Sequence, residues 1–245
     1  AFAAALRPPK RLTVTEWARA RRHVAPESGS PNPGRWGDEL VPYLREVMDC
    51  LSFTHPCREV TLAKSAQVGG TECGLNLFGY VADMEPGPCL IVLPSVEEAK
   101  KYNKVKLQPT IDATPALQGR IQETKSRDAD SSTAMFKRFR GGYLIVTGAN
   151  SSKGLQMISA RTIIFEEISE YPYDADGRGD PIDQALSRAK AWDERDPKRF
   201  YCSTPNIVGL CRITDRFQAS DRRYFYVPCP HCESLQRLVW ARLAW

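Results

Sequence analysis

The stretch Lys64-Ser65-Ala66-Gln67-Val68-Gly69-Gly70-Thr71 constrains this chain most, because it has the form of a phosphate-cradling loop whose lysine stands at the wrong end. In the usual GxxxxGK[ST] pattern, backbone N–H groups wrap the phosphates, a lysine before the Ser/Thr reaches their oxygens and the hydroxyl holds Mg²⁺. Setting Thr71 in the hydroxyl position puts Gly69 on the second glycine, Gly70 on the lysine and Lys64 on the first glycine, so the charge sits six residues upstream. The flanks fit such a loop. Glu59–Ala63 reads as a short buried strand, and Thr71–Asp83 as a helix carrying Leu75, Leu77, Phe78 and Val81. A strand, a glycine turn and a helix in that order aim the helix's free N–H groups at the loop, which suits an anion. A strand-to-helix turn that merely needs glycine fits the octapeptide equally well.

A second signal comes at Arg161-Thr162-Ile163-Ile164-Phe165-Glu166-Glu167, an apolar β-branched run ending in two acids. Acids at the C-terminal end of a buried strand project into the crevice where open parallel sheets bind ligands. The first acid is placed to hold Mg²⁺, and the second to orient and deprotonate a water attacking a γ-phosphate. A third element, Arg199-Phe200-Tyr201-Cys202-Ser203-Thr204-Pro205, is another strand ending in small hydroxyl residues. Ser203 and Thr204 are candidates for sensing the γ-phosphate beside the acid pair, against an ordinary polar turn stopped by proline.

In this order and spacing, KSAQVGGTE, IIFEEISEYP, GDPIDQALSRAKAW, STPNIVG and VPCPHC resemble the large terminase subunit of tailed phages, in its lambda-like branch. PYLREVMDCLS, DATPAL and VTGANSSKGL are similar too, so the resemblance covers the chain from roughly residue 36 onward. It implies an ASCE-type P-loop NTPase that hydrolyses ATP with Mg²⁺ to thread double-stranded DNA into a procapsid, usually joined to a C-terminal nuclease. By motif, the resemblance implies that Lys64, Ser65, Ala66, Gln67, Val68, Gly69, Gly70 and Thr71 form the phosphate loop. Thr71 and Glu166 then take the Mg²⁺ positions, Glu167 is the catalytic base, Lys64 the loop cation, and Ser203 with Thr204 the coupling motif. Lysine at the head of the loop is typical of that branch, whereas Glu166 stands where relatives generally carry Asp. The resemblance also implies a small terminase subunit and a portal as partners, a homo-oligomeric ring and the cytoplasm of a bacterial host. A helicase-like or recombination ATPase, and a decayed DNA-binding scaffold that no longer hydrolyses, are the competing readings.

Composition sets limits. The 245 residues, 42% hydrophobic, are enough for one sizeable α/β domain with small additions. With 34 basic against 29 acidic residues the net charge is only +5, too mild to demand nucleic acid. Basic residues cluster at Arg19, Arg21 and Arg22, at Lys100, Lys101, Lys104 and Lys106, and at Lys137, Arg138 and Arg140; each cluster reads first as a solvated face. Arg138, Arg140, Arg161 and Arg178 are candidates for the cation that meets a γ-phosphate. Trp36 and Tyr43, upstream of the loop, are candidates for an adenine platform. Eight cysteines scattered mostly in apolar runs suit buried thiols, except Cys229-Pro230-His231-Cys232. That CPHC knuckle, through Cys229 and Cys232, is half of a four-ligand zinc ribbon, and the resemblance implies another CxxC downstream.

No stretch approaches eighteen consecutive apolar residues, so no membrane span is expected. Residues 1–35 read as a basic arm, with a short helix over Leu12–Val24 and a flexible linker over Ala25–Gly34; residues 36–222 read as the ATPase domain and 223–245 as a ribbon or hinge. Further strands are expected at Cys89–Pro94 and Gly142–Thr147, a helix capped by Ser95 with Glu98, and another over Pro181–Trp192. Alternating elements of this kind imply a mostly parallel twisted sheet with helices on both faces.

Overall fold

A computed structural model describes residues 11–122, 135–156, 158–239 and 242. Helix α1 (Val14–Arg21) opens with a capping box between Thr13 and Glu16. Two-residue strands β1 (His23–Val24) and β2 (Gly34–Arg35) pair antiparallel, and a 3₁₀ turn at Pro42–Leu44 leads into α2 (Arg45–Cys50). The chain continues as β3 (Glu59–Ala63), α3 (Gly70–Met84), β4 (Cys89–Leu93), α4 (Val96–Tyr102) and α5 (Gln108–Ala113). After these come β5 (Phe136–Phe139), β6 (Gly142–Gly148), α6 (Ser152–Gln156), β7 (Thr162–Glu166), α7 (Pro181–Leu186), β8 (Lys198–Ser203) and α8 (Arg212–Ala219). A hairpin of β9 (Val227–Pro228) and β10 (Leu235–Gln236) ends the described chain.

Six strands form one sheet in the order β3-β8-β7-β4-β6-β5. The first five run parallel and β5 pairs antiparallel with β6 at one edge. Strand β8, late in sequence, inserts between the loop-bearing β3 and the acid-bearing β7. Every residue of β4 and β7 is buried, and their side chains alternate between two cores. Cys89, Ile91, Leu93, Ile164 and Phe200 face the core shared with α1 and α3; Leu90, Val92, Ile163, Phe165 and Tyr201 face the core shared with α7 and α8. That period of two with both faces covered is what parallel strands built from apolar runs require.

Four expectations need correction. Residues 11–24 are not an arm: Val14, Trp17 and Ala18 are fully buried, and the expected linker is clamped by β2 and by the Ser28 carbonyl, which accepts from Lys106 Nζ at 2.6 Å. The basic cluster beside them departs from a solvated face at one residue. Arg19 and Arg21 stay partly exposed while pairing with Asp38 and Asp83, but the fully buried Arg22 meets Glu72 Oε2 at 2.8 Å. The helix expected over Pro181–Trp192 stops at Leu186, and the Arg188 carbonyl turns outward to accept the Ala160 N–H at 3.1 Å. The lysine-bearing helix widens into a π turn at Asn103–Leu107 just before Pro109, whose ring lacks the N–H that an α-helical ladder needs.

Helix α1 packs closely on α3 because α3 has a gap at Gly79. A Cβ there would fall 2.1 Å from the Trp17 ring, and Trp17 Nε1 donates to Asp83 Oδ2 at 2.8 Å one turn further along. Gly79→Val is expected to destabilise the fold by about 1–3 kcal/mol through overpacking. Urea unfolding measures this, and an unchanged midpoint would contradict the docking of α1 on α3.

Candidate functional site

Parallel pairing brings three strand ends to one edge of the sheet. Ala63 is in register with Ser203 and Glu166 with Cys202, so Lys64, Ser203-Thr204 and Glu167 emerge side by side. Neighbouring strands lie about 4.8 Å apart, which puts β3 and β7 about 10 Å apart with the end of β8 between them. Two long side chains bridge that gap. Lys64 Nζ donates to Glu167 Oε1 at 2.8 Å and to Thr204 Oγ1 at 3.2 Å. Glu167 Oε2 accepts from the Thr204 N–H at 3.1 Å and from Ser203 Oγ at 3.3 Å. Glu167 is turned toward this position by a left-handed backbone, φ 53°, held by its N–H on the Cys202 carbonyl at 2.7 Å. A non-glycine residue held in that region stores strain, and such strain concentrates at functional sites.

The lysine's displacement has a steric cause. A Cβ on Gly70 would lie 2.6 Å from Lys64 Cε and 2.6 Å from Cys202 Sγ, so the stem of Lys64 occupies the space that a side chain at position 70 would need. One helical turn on, a Cβ on Gly74 would lie 2.6 Å from Glu166 Oε1. Gly70 and Gly74, four apart on α3, therefore form a bare strip against which Lys64 and Glu166 lie. The spacing G-x-x-x-G just inside the predicted helix was a legible signal for this, and sequence reading passed over Gly74.

Below the strip, Glu166 is 1% exposed; Oε2 accepts from Thr71 Oγ1 at 3.3 Å and Oε1 has no hydrogen-bond partner. Burial above all, with the neighbouring Glu167 charge, pushes its carboxyl up to about 8, against the lowering effects of Lys64 and the Thr71 hydroxyl. A buried carboxylate with an unused oxygen beside a threonine hydroxyl is the oxygen-donor chemistry that suits Mg²⁺. The donors present fit that ion.

The loop itself bends through two left-handed residues, Gln67 at φ 60° and Gly69 at φ 80°, before α3 begins at Gly70. It forms one wall of a cleft of about 610 Å³, within the range of small-molecule sites, lined also by Lys64, Glu167 and Thr204. The opposite wall comes from residues 29–41, including Trp36 and the exposed Leu40, with Lys106 from the π turn. Residues 29–33 of that wall read in sequence as linker, because their role arises only from the β1–β2 pairing. Ser65 and Tyr43 are not among the lining residues. Tyr43 instead stands behind the loop, its hydroxyl donating to the Val68 carbonyl at 3.2 Å, so the adenine-platform expectation for Tyr43 is corrected.

Other candidates lie apart. Arg161 precedes β7 at the end opposite Glu166, stacked 3.9 Å over Phe53; Arg138 is on β5 and Arg140 follows it, at the start of β6 and so also at that opposite edge. Arg178, between β7 and α7, is on the loop side of the sheet. Cys229 and Cys232 sit at the tip of the β9–β10 hairpin, where Cys232 Sγ contacts Ser234 Oγ at 3.1 Å. Among the described residues no group of three or more His, Cys, Asp or Glu side chains is arranged to hold a metal, so the zinc-ribbon expectation finds no support.

Comparison with known proteins bears on the family and the fold. Residues 30–245 match the family described as phage terminase large subunit gpA, ATPase domain. The chain is 30% identical over 234 residues to the terminase large subunit of Enterobacteria phage P21, and 28% identical over 235 residues to that of Escherichia phage lambda. Each match covers 94% of this chain but 35% of the relative, so the chain spans about a third of those proteins. Among solved structures, the large terminase ATPase domain of Thermus phage P74-26 superposes with a TM-score of 0.52 at 13% identity, over 81% of this chain and 79% of that one, which shows a shared fold. The mixed α/β body with its mostly parallel sheet, and a family match covering residues 30–245, lead to one conclusion: this chain belongs to the ATPase-domain family of phage terminase large subunits.

Proposed function

We propose that this chain is the P-loop ATPase portion of a viral terminase large subunit, hydrolysing ATP with Mg²⁺ to drive double-stranded DNA into a procapsid. The observation that carries the reading is the meeting of Lys64, Glu167 and Thr204 over the glycine loop, at 2.8 and 3.2 Å. Family membership favours it over an unwinding ATPase or an inert scaffold. The small subunit, the portal, a ring of identical subunits and the host cytoplasm follow as expectations for the whole protein. Among the described residues no helix is long and apolar enough to cross a membrane. The ATPase body is read as beginning at residue 11 rather than 36, because α1 packs into its core.

In this reading the loop N–H groups and the positive end of α3 receive the triphosphate. Thr71 and Glu166 would hold Mg²⁺, which supplies charge neutralisation across the phosphates. Lys64 is engaged by Glu167. A γ-phosphate competes for the same ammonium and frees the Glu167 carboxylate, which then orients the attacking water and accepts its proton. Ser203 and Thr204 contact both partners of that exchange, so they register whether Lys64 is on Glu167 or on phosphate. Arg178 is the in-chain candidate for a further cation on the loop side.

Three outcomes are expected. Lys64→Ala lowers kcat by on the order of 10²-fold or more, as loss of a fixed charge at developing negative charge does; wild-type turnover would dispose of the assignment. Glu167→Gln keeps Mg·ATP binding while hydrolysis falls by roughly 10²- to 10⁴-fold, and joint loss of binding and turnover would instead give Glu167 a structural or metal role. The third concerns the metal-free protein. Glu166 binds its proton more tightly folded, at about 8, than in an unfolded chain, where it titrates near 4.5. Folding therefore takes up a proton between those values, and stability declines as pH rises from 4.5 to 8. Urea midpoints across that window should fall in the wild type and flatten in Glu166→Gln; parallel profiles would refute the buried-acid account.

A further inference from the structure

Tyr43 reaches the phosphate loop from behind. It lies in the 3₁₀ turn Pro42–Leu44, whose neighbours also brace the loop: a Cβ on Gly69 would meet Leu44 Cδ1 at 3.2 Å and Val41 Cγ1 at 3.8 Å. Its half-buried ring is met edge-on by Phe225, centroids 5.9 Å apart at 74°, and its hydroxyl donates to the Val68 carbonyl at 3.2 Å. The cleft is lined by Val68, Gly69 and Gly70 on the other side of that peptide. A trans peptide is planar, and its C=O and N–H point in opposite directions. Fixing the Val68 carbonyl on Tyr43 therefore fixes the Gly69 N–H toward the cleft. Without that anchor the peptide is free to turn over, because Gly69, at φ 80°, has no side chain to oppose rotation.

We propose that Tyr43 is a positioning residue: its hydroxyl holds the Val68–Gly69 peptide with the N–H facing the anion, so that the loop is ready for a triphosphate before one arrives. This rests on the nucleotide reading above and adds to it a residue that touches no part of the ligand. The role differs from base stacking in a way that can be measured. A stacking ring contributes to adenosine binding and is indifferent to its hydroxyl. A peptide anchor depends on the hydroxyl, acts on the phosphates and leaves the nucleoside unaffected.

The test is calorimetry on the 245-residue chain with three probes, Mg·ATP, inorganic triphosphate with Mg²⁺ and adenosine, comparing wild type with Tyr43→Phe. That substitution keeps the ring and its contact with Phe225 and deletes one hydrogen bond. The expected result is weaker binding of Mg·ATP and of inorganic triphosphate by the same factor, roughly five- to tenfold as for one net hydrogen bond, with adenosine affinity unchanged and Tm lower by no more than about 2–4 °C. Equal triphosphate affinity in the two proteins overturns the proposal while leaving the nucleotide reading intact. A larger fall in Tm that accompanies uniform weakening of all three probes assigns Tyr43 a structural role and also overturns it. A wild type that binds neither Mg·ATP nor triphosphate overturns both.

Discussion

The site depends on one steric fact: the hydrocarbon stem of Lys64 lies across Gly70. Cε of Lys64 and Sγ of Cys202 each come within 2.6 Å of where a Cβ at position 70 would sit. Position 70 therefore stays bare, and the loop's cation enters from the end of β3 instead of from the start of α3. That entry also decides where the ammonium ends. Emerging from β3 with β8 beside it, it lands on Glu167 and Thr204 at the ends of the next strands. Strand order, bare helix strip and charge placement form one arrangement, and changing any of them moves the cation.

Electrostatics follow from the same packing. The Lys64–Glu167 pair is only partly buried, with the lysine side chain 8% and the glutamate 36% exposed, so it can exchange partners with an incoming anion. Glu166 is different. Sealed under Gly74 with one oxygen unpartnered, its carboxyl is pushed up to about 8, by burial above all. Adjacent acids thus differ in environment because one faces the cleft and the other faces the helix. The extra methylene of Glu over Asp at position 166 is accommodated because Gly74 gives the carboxylate room to lie against α3.

Much of the fold was legible in local pattern. The strand Glu59–Ala63 has the expected bounds, and the acid-bearing strand and the strand leading to Thr204 each move by one residue at both ends. Apolar runs buried on both faces admit little else. What escaped were features created by contacts distant in sequence. Arg22 reads as a surface charge until Glu72 and Thr110 enclose it, and residues 29–33 read as linker until β1 and β2 pair and turn them into part of a cleft wall. Trp17 gives no hint of its seat, because the cause lies at Gly79. Of the candidate site, Lys64, Thr71, Glu166, Glu167, Ser203 and Thr204 come together as a group; Tyr43 is close but works on the loop's far side.

The central claim is that Lys64 moves its charge from a carboxylate to a phosphate. A crystal structure of the chain with Mg²⁺ and a non-hydrolysable ATP analogue tests this most directly. The account predicts Lys64 Nζ at about 2.7–2.9 Å from a phosphate oxygen, with the Glu167 carboxylate released from it. A nucleotide bound while Lys64 remains on Glu167, with no phosphate oxygen in reach of its ammonium, would contradict it.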